Sequence, residues 1–308
     1  MGRPGALWHA GFTPDSGCTP VPGRTVNARR FTQLDVFGSA PCTGNPLATV
    51  IDGAGLTTAA MQRFARWTNL SETTFLLPAT TEAADYRVRI FTPVRELPFA
   101  GHPTLGSCQA WLEAGGQPRA EGMVVQECQA GLIEIRRGPG DGRLAFAAPP
   151  RRRTGPLDAP LLNDIVRVLR IPATDVVAHQ WVDNGPGWVA VMLRSAAQVK
   201  ALNPDFSQMN DLELGVIAPY PAGSEAQFEV RAFISQGTAV PYEDPVTGSL
   251  NASLAQWLME AELAPARYVA SQGTALGRQG RVYLERDSHG GVWVGGHTFT
   301  AIHGTVYL

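Results

Sequence analysis

Several scarcities narrow the reading of this chain before any motif is considered. Lys200 is its only lysine, and it sits in AAQVKALNPD, which reads as an exposed helix end. A Schiff-base cofactor enzyme, whose chemistry needs a desolvated lysine, is thereby disfavoured. Cysteine is nearly as sparse. Cys18, Cys42, Cys108 and Cys128 show no CxxC or other metal-ligand spacing, so free thiols are expected rather than a disulfide framework. No segment reaches the roughly 18 to 20 consecutive apolar residues of a membrane helix. The start, MGRPGALWHAGFTPDSGC, has neither a basic segment leading into an apolar core nor a clean cleavage signal, so no secretory peptide is read and a cytoplasmic location is the default expectation. A formal charge of −2 gives no global electrostatic reason to bind nucleic acid or a membrane surface. The local run Arg151 to Arg153 reads as a solvated linker. There is no GxSxG elbow, no strand-linked GxGxxG and no Walker loop, which disfavours serine hydrolysis and nucleotide chemistry. His179, His289, His297 and His303 lack ligand spacing and read as structural or surface groups.

What the chain does contain is a repeat. Val88 to Glu113, VRIFTPVRELPFAGHPTLGSCQAWLE, returns as VRAFISQGTAVPYEDPVTGSLNASLAQWLME, and the two align without a gap from Val-Arg-x-Phe through Gly-Ser. At the constant offset of 142, Arg89 falls on Arg231, Phe91 on Phe233, His102 on Asp244, Pro103 on Pro245, Gly106 on Gly248 and Ser107 on Ser249. Each copy reads as strand, loop and buried helix. Pro103 and Pro245 suit a first helical position, which predicts His102 and Asp244 at the helix caps. Free N–H groups and the positive dipole end make such a terminus an anion site, with Thr247, Gly248 and Ser249 in the first turn of the second helix. The same offset puts Glu72 on Leu214, so one carboxylate is expected in one half only.

With 308 residues, 44% apolar and 17% charged, the chain is compact and long enough for two cores. Residues 1–30 read as an irregular Gly- and Pro-rich extension, 31–150 as an N-terminal lobe and 151–297 as a C-terminal lobe. Strands are predicted in FTQLDVF, LATVID and LSETTFLLP, helices in Thr57 to Asn69 and LLNDIVRVLRI, and a hairpin in VVQECQA and LIEIRR.

The stretches DVFGSAPCTGNPLATV, SETTFLLP, FTPVRELPFAGHPTLGS, DNGPGWVAV, YEDPVTGS, SQGTALGRQGRV and VGGHTFTAIHGT together resemble the PhzF phenazine-biosynthesis family, within the diaminopimelate-epimerase-like fold. The resemblance covers about Phe31 to Leu308. It implies an α+β fold of two pseudo-symmetric lobes, each a curled, mostly antiparallel sheet around a central buried helix, with the active site between them. The last strand, 298–308, often crosses back in that family to complete the first lobe. Carried over residue by residue, the resemblance implies Glu72 as general acid/base, His102 and Asp244 framing the substrate, and Gly101, Gly248 and Ser249 binding it. It implies isomerisation of a small carboxylate without cofactor or metal, and a homodimer.

From spacing alone, Glu72 reads as an ordinary solvent-facing carboxylate at a strand start, His102 and Asp244 as caps, and Ser249 as a packing residue. Epimerases of the wider fold use a cysteine at each helix cap, where this chain has Gly101-His102 and Glu243-Asp244, so thiol-pair racemisation is disfavoured. Two alternatives stay open: a two-base epimerase using Glu72 and Asp244, and a non-catalytic metabolite-binding protein.

Overall fold

The computed structural model describes residues 27–138, 140–235 and 240–308. Residues 1–26 of the expected extension, with Cys18, lie outside the described residues; Ala28 to Arg30 are already strand. The first half runs β1 (Ala28–Val36), β2 (Asn45–Val50), α1 (Thr58–Thr68), β3 (Glu72–Leu77), β4 (Tyr86–Phe91), β5 (Glu96–Leu97), α2 (Gly101–Glu113), β6 (Met123–Cys128), β7 (Gly131–Arg137) and β8 (Leu144–Ala147). The second half runs α3 (Ala159–Leu169), β9 (Ala178–Trp181), β10 (Trp188–Met192), α4 (Ala196–Ala201), β11 (Glu213–Pro219), β12 (Phe228–Ile234), β13 (Tyr242–Asp244), α5 (Gly248–Glu260), β14 (Arg267–Gln272), β15 (Gly280–Arg286) and β16 (Val292–Gly296). The last strand, β17 (Thr298–Tyr307), pairs with β1 along its whole length.

Local chemistry sets these elements. Helix α1 starts where the Thr57 hydroxyl accepts a hydrogen bond from the Ala60 amide, and it stops at Asn69, whose φ of 54° suits a left-handed terminator. Its buried face, Met61, Phe64 and Ala65, packs on Phe75 and Phe91 of the sheet. Helices α2 and α5 carry no charge in their first turns and are buried on most faces, and the strands of each half curl round them. Among the described residues no helix is long and apolar enough to cross a membrane.

The two halves repeat the same pairing order. Parallel β2–β3 and β4–β6 answer to parallel β10–β11 and β12–β14, with antiparallel pairs between, and β8 pairs with β16 to join the halves. The register corrects the gapless repeat. Up to Phe91 and Phe233 the halves match, and the second copy then carries five extra residues before its next strand. Glu96 therefore answers to Glu243, not to Thr238, and this is visible as a duplicated ion pair. Arg89 Nη2 lies 2.6 Å from Glu96 Oε2, and Arg231 Nη2 lies 2.6 Å from Glu243 Oε2. Glu96 thus binds Arg89 rather than its neighbour Arg95.

Past the insertion, Gly101 answers to Gly248 and His102 to Ser249. The predicted caps are displaced accordingly. His102 is the second residue of α2, whose N-cap is Ala100, while Asp244 ends β13 and the N-cap of α5 is Thr247. Pro245 is outside the helix because Asp244 is still paired with Ala232 in the sheet. The arginine run is solvated at Arg152 and Arg153, as expected, but Arg151 is largely buried and pairs with Glu260, and the exposed Arg153 guanidinium stacks 3.4 Å from the Trp181 ring centroid.

The helix N-termini meet backbone to backbone. A Cβ on Gly101 would lie 2.9 Å from the Gly248 Cα, and one on Gly248 would lie 2.9 Å from the Gly101 Cα. At Gly106 an added Cβ would meet side chains rather than backbone, Leu47 Cδ2 at 2.5 Å and Val36 Cγ2 at 3.0 Å. Gly248→Ala should therefore cost about 1 to 3 kcal/mol in urea unfolding, and Gly106→Ala less, because side chains can shift and a facing backbone cannot. Equal losses would show that the helix contact is not the tight point.

Candidate active site

The two halves face each other across a cleft of about 1300 Å³, lined by Glu72, His102, Glu213, Tyr242, Asp244 and Ser249 among others. That exceeds the roughly 300 to 1,000 Å³ common for small-molecule sites. Parallel pairing of Leu47 with Glu72 fixes the first residue of β3 at the cleft, and the turn after α1 delivers it there. His102 comes from the first turn of α2 and Asp244 from the end of β13, so three separate elements converge. Gly101 and Gly248 form the floor where the helices touch, and both line the cleft.

Hydrogen bonds commit Asp244. Its Oδ1 accepts from Asn45 Nδ2 at 3.1 Å and from the Ser71 hydroxyl at 3.4 Å, and its Oδ2 accepts from the Thr247 hydroxyl at 2.6 Å. Glu72 is not committed. Its Oε2 has no hydrogen-bond partner, and the approach to His102 Nδ1 at 3.5 Å is too long for a strong one.

The charges follow from burial. Loss of solvent, then the nearby Asp244 charge, push Glu72 up to about 8. Burial also raises Asp244, to about 6, although the Thr247, Asn45 and Ser71 hydrogen bonds oppose it. Burial lowers His102 to about 3, against a smaller opposing pull from the Pro46 carbonyl. At neutral pH the Glu72 to His102 contact is therefore between two neutral groups, while Asp244 carries the charge. The arrangement offers one carboxyl whose proton is held by no protein acceptor.

Ser249 sits in the first turn of α5 with its Oγ accepting from Trp188 Nε1 at 3.1 Å. That leaves the hydroxyl proton free to donate, beside a helix N-terminus whose amides also donate. Among the described residues no group of three or more His, Cys, Asp or Glu is arranged to hold a metal ion.

The structure thus brings Glu72, His102, Asp244, Gly101, Gly248 and Ser249 to one cleft. Sequence reasoning missed Asn45, which ties Asp244 to the Val246 carbonyl and lies 3.4 Å from His102 Nδ1. Its signal was the Gly-Asn-Pro sequence at the start of β2. Tyr242 and Glu213 were also missed, and Glu72 answers to Glu213 rather than to Leu214, because β11 opens at Glu213 paired with Trp188. A one-residue shift between the halves hid it.

A family model described as phenazine biosynthesis-like protein matches residues 34–304. A Schizosaccharomyces pombe protein named antisense-enhancing sequence 1 is 34% identical over 295 residues, which cover 90% of this chain and 98% of that protein. The trans-2,3-dihydro-3-hydroxyanthranilate isomerase of Pseudomonas aeruginosa is 31% identical over 287 residues, 91% of this chain and 99% of that enzyme. The crystal structure of a Bacillus anthracis phenazine biosynthesis protein of the PhzF family shares the fold with a TM-score of 0.76 at 22% identity, covering 92% of this chain and 100% of that one.

Because Asp244 contributes to the raised pKa of Glu72, Asp244→Asn should move Glu72 down from about 8, yet leave it above its ordinary 4.5, since burial remains. Carbon-13 NMR titration of the Glu72 carboxyl reads this directly. An unmoved midpoint would detach Asp244 from Glu72.

Proposed function

This chain belongs to the PhzC-PhzF family of phenazine biosynthesis-like isomerases, and we propose that it moves a proton between carbons of a small carboxylate, using Glu72 as the one general acid/base and no cofactor. The observation that carries this reading is the cleft-lining Glu72 carboxyl, lifted to about 8 with Oε2 unpartnered. A carboxyl of that pKa is a stronger base than an ordinary glutamate, and near pH 7 roughly a tenth of it is ionised and ready to accept a proton. The same group, once protonated, is placed to return that proton to a second carbon. Neutral His102 packs beside it without competing for the proton. Asp244 supplies negative charge that strengthens the base.

The substrate carboxylate goes to Ser249 and the amides around Gly248, at the dipole end of α5. The relatives named as trans-2,3-dihydro-3-hydroxyanthranilate isomerases support a small carboxylate substrate of that kind for this chain. The two-base alternative is disfavoured because both oxygens of Asp244 are already taken by the Asn45, Ser71 and Thr247 donors.

With trans-2,3-dihydro-3-hydroxyanthranilate as the probe, kcat/KM should rise with pH through about 8 as Glu72 ionises. Glu72→Gln should lower turnover by at least about a hundredfold. In deuterium oxide, product from the wild type should keep part of the original hydrogen, since one carboxyl carries it. Activity of the Gln variant within a few-fold of wild type would remove Glu72 from its role, and complete solvent exchange would favour two bases.

Folding should survive the change. A carboxyl whose folded pKa is raised stabilises the protein only below its unfolded value, and that contribution is lost as pH rises from about 4.5 to about 8. Thermal melts should show that decline in the wild type and a flatter profile in Glu72→Gln. Parallel profiles would mean the carboxyl ionises normally in the fold.

A further inference from the structure

Thr247 is the N-cap of α5, yet its side chain makes no capping bond. A threonine at that position ordinarily accepts from an amide of the first turn. Here the hydroxyl is engaged elsewhere, between Asp244 and Gln272. Gln272 ends β14, is 0% exposed, and is brought to the helix terminus by parallel pairing with Val230 of β12. Its Oε1 accepts from the Thr247 amide at 3.0 Å and from Asn251 Nδ2 at 2.8 Å. Its Nε2 donates to the Asp244 carbonyl at 3.1 Å and to Thr247 Oγ1 at 2.9 Å.

These bonds leave the proton of Thr247 one destination. A backbone amide can only donate, so Gln272 Oε1 has to face it and Nε2 has to face the hydroxyl; the side-chain amide cannot be turned round. Thr247 Oγ1 then accepts from Gln272 and has a single proton to give. Asp244 Oδ2, 2.6 Å away, is at the distance of a hydroxyl donating to a carboxylate.

The first half lacks the whole set. Tyr86 pairs with Gln126 as Phe228 pairs with Ala270, so two residues further on Cys128 answers to Gln272. Ala100, before Gly101, answers to Thr247, and Leu97 to Asp244. Three polar residues from separate parts of the chain are thus matched by three that form no such series of bonds. They occur together, in the half that carries Asp244.

Resting on the acid/base role proposed for Glu72, we infer that Gln272 is a positioning residue: it pins the Thr247 hydroxyl so that its proton goes only to Asp244, the carboxyl beside Glu72. The bond from Thr247 opposes the burial that raises Asp244, and a charged Asp244 in turn raises Glu72. The titratable groups that bear on this region are Glu72 from β3, His102 from α2, Glu213 from β11, and Tyr242 and Glu243 from β13.

Carbon-13 NMR titration of the Asp244 and Glu72 carboxyls in the full-length protein reads the relay. Thr247→Val should raise the Asp244 midpoint by about one to two pH units, the size expected for one hydrogen bond to a charged group, and lower that of Glu72. Gln272→Met should move both carboxyls the same way by less, and the double variant no further than Thr247→Val, because the glutamine acts through the hydroxyl. Thr247→Ser should stay near the wild type. Loosened packing gives a different pattern, since water admitted to the site lowers both carboxyls together. Both falling, an unmoved Asp244 in Gln272→Met, or additive shifts would overturn the assignment. If Gln272→Met does not fold, neutron diffraction from wild-type crystals near neutral pH decides: the Thr247 deuteron should lie on the line to Asp244 Oδ2, and any other orientation overturns the role. The limb of kcat/KM near pH 8 should follow Glu72 to lower pH in Thr247→Val. Carboxyls that shift as expected while that limb stays in place take down the acid/base role of Glu72, and with it the part of Gln272 in the reaction.

Discussion

The contact on which the rest depends is the meeting of two helix N-termini at Gly101 and Gly248. It brings two positive dipole ends to one place and makes the cleft a natural site for anions. It also fixes the pseudo-twofold relation, so whatever one half offers on one side of the cleft, the other half offers opposite. The cost of the arrangement is spatial: neither position has room for a side chain.

Dipoles do not decide the protonation of the acids placed there. A helix end stabilises a nearby carboxylate by up to about 2 kcal/mol in a partly buried setting, whereas removing a carboxylate from water costs several. Burial therefore dominates, and Glu72 and Asp244 both rise. They separate because their hydrogen bonds differ. Asp244 receives three donors and stays near 6, while Glu72, with one oxygen unpartnered, reaches about 8. Two carboxyls in one cleft thereby take different parts, one charged and fixed, one protonated and available.

The duplication supplies the frame and its departures supply the chemistry. The Arg89 to Glu96 and Arg231 to Glu243 pairs are copies, each guanidinium also about 5 Å from a phenylalanine ring, at Phe91 and Phe233. The second pair is the more deeply buried, with both side chains 6% exposed, so breaking it would leave a buried charge uncompensated. Where the copies diverge, His102 answers to Ser249 and Leu97 to Asp244. A symmetric scaffold has become a cleft whose two sides carry different groups.

The strands, the two buried helices and the duplication were legible in the sequence because they rest on local patterns: alternation in FTQLDVF, the Thr57 and Asn69 helix signals, and the repeated Val-Arg-x-Phe. Glu72, His102, Asp244 and Ser249 were reached through the family resemblance, since no spacing distinguishes them from ordinary caps and surface acids. The gapless repeat misled beyond Phe233, where five inserted residues leave Gly-Ser aligned with Gly-Ser although the structural partners are Gly101 and Gly248. Two identical dipeptides outweighed an insertion that only strand pairing exposes. Glu213, Asn45 and Tyr242 were invisible for the same reason, because their meaning lies in which residue sits across the sheet or cleft. Sequence by itself determined which segments form and bury. Tertiary structure decided register and desolvation, because both depend on neighbours distant in the chain, and these bring Glu72 and Asp244 to one cleft and hold Glu72 protonated.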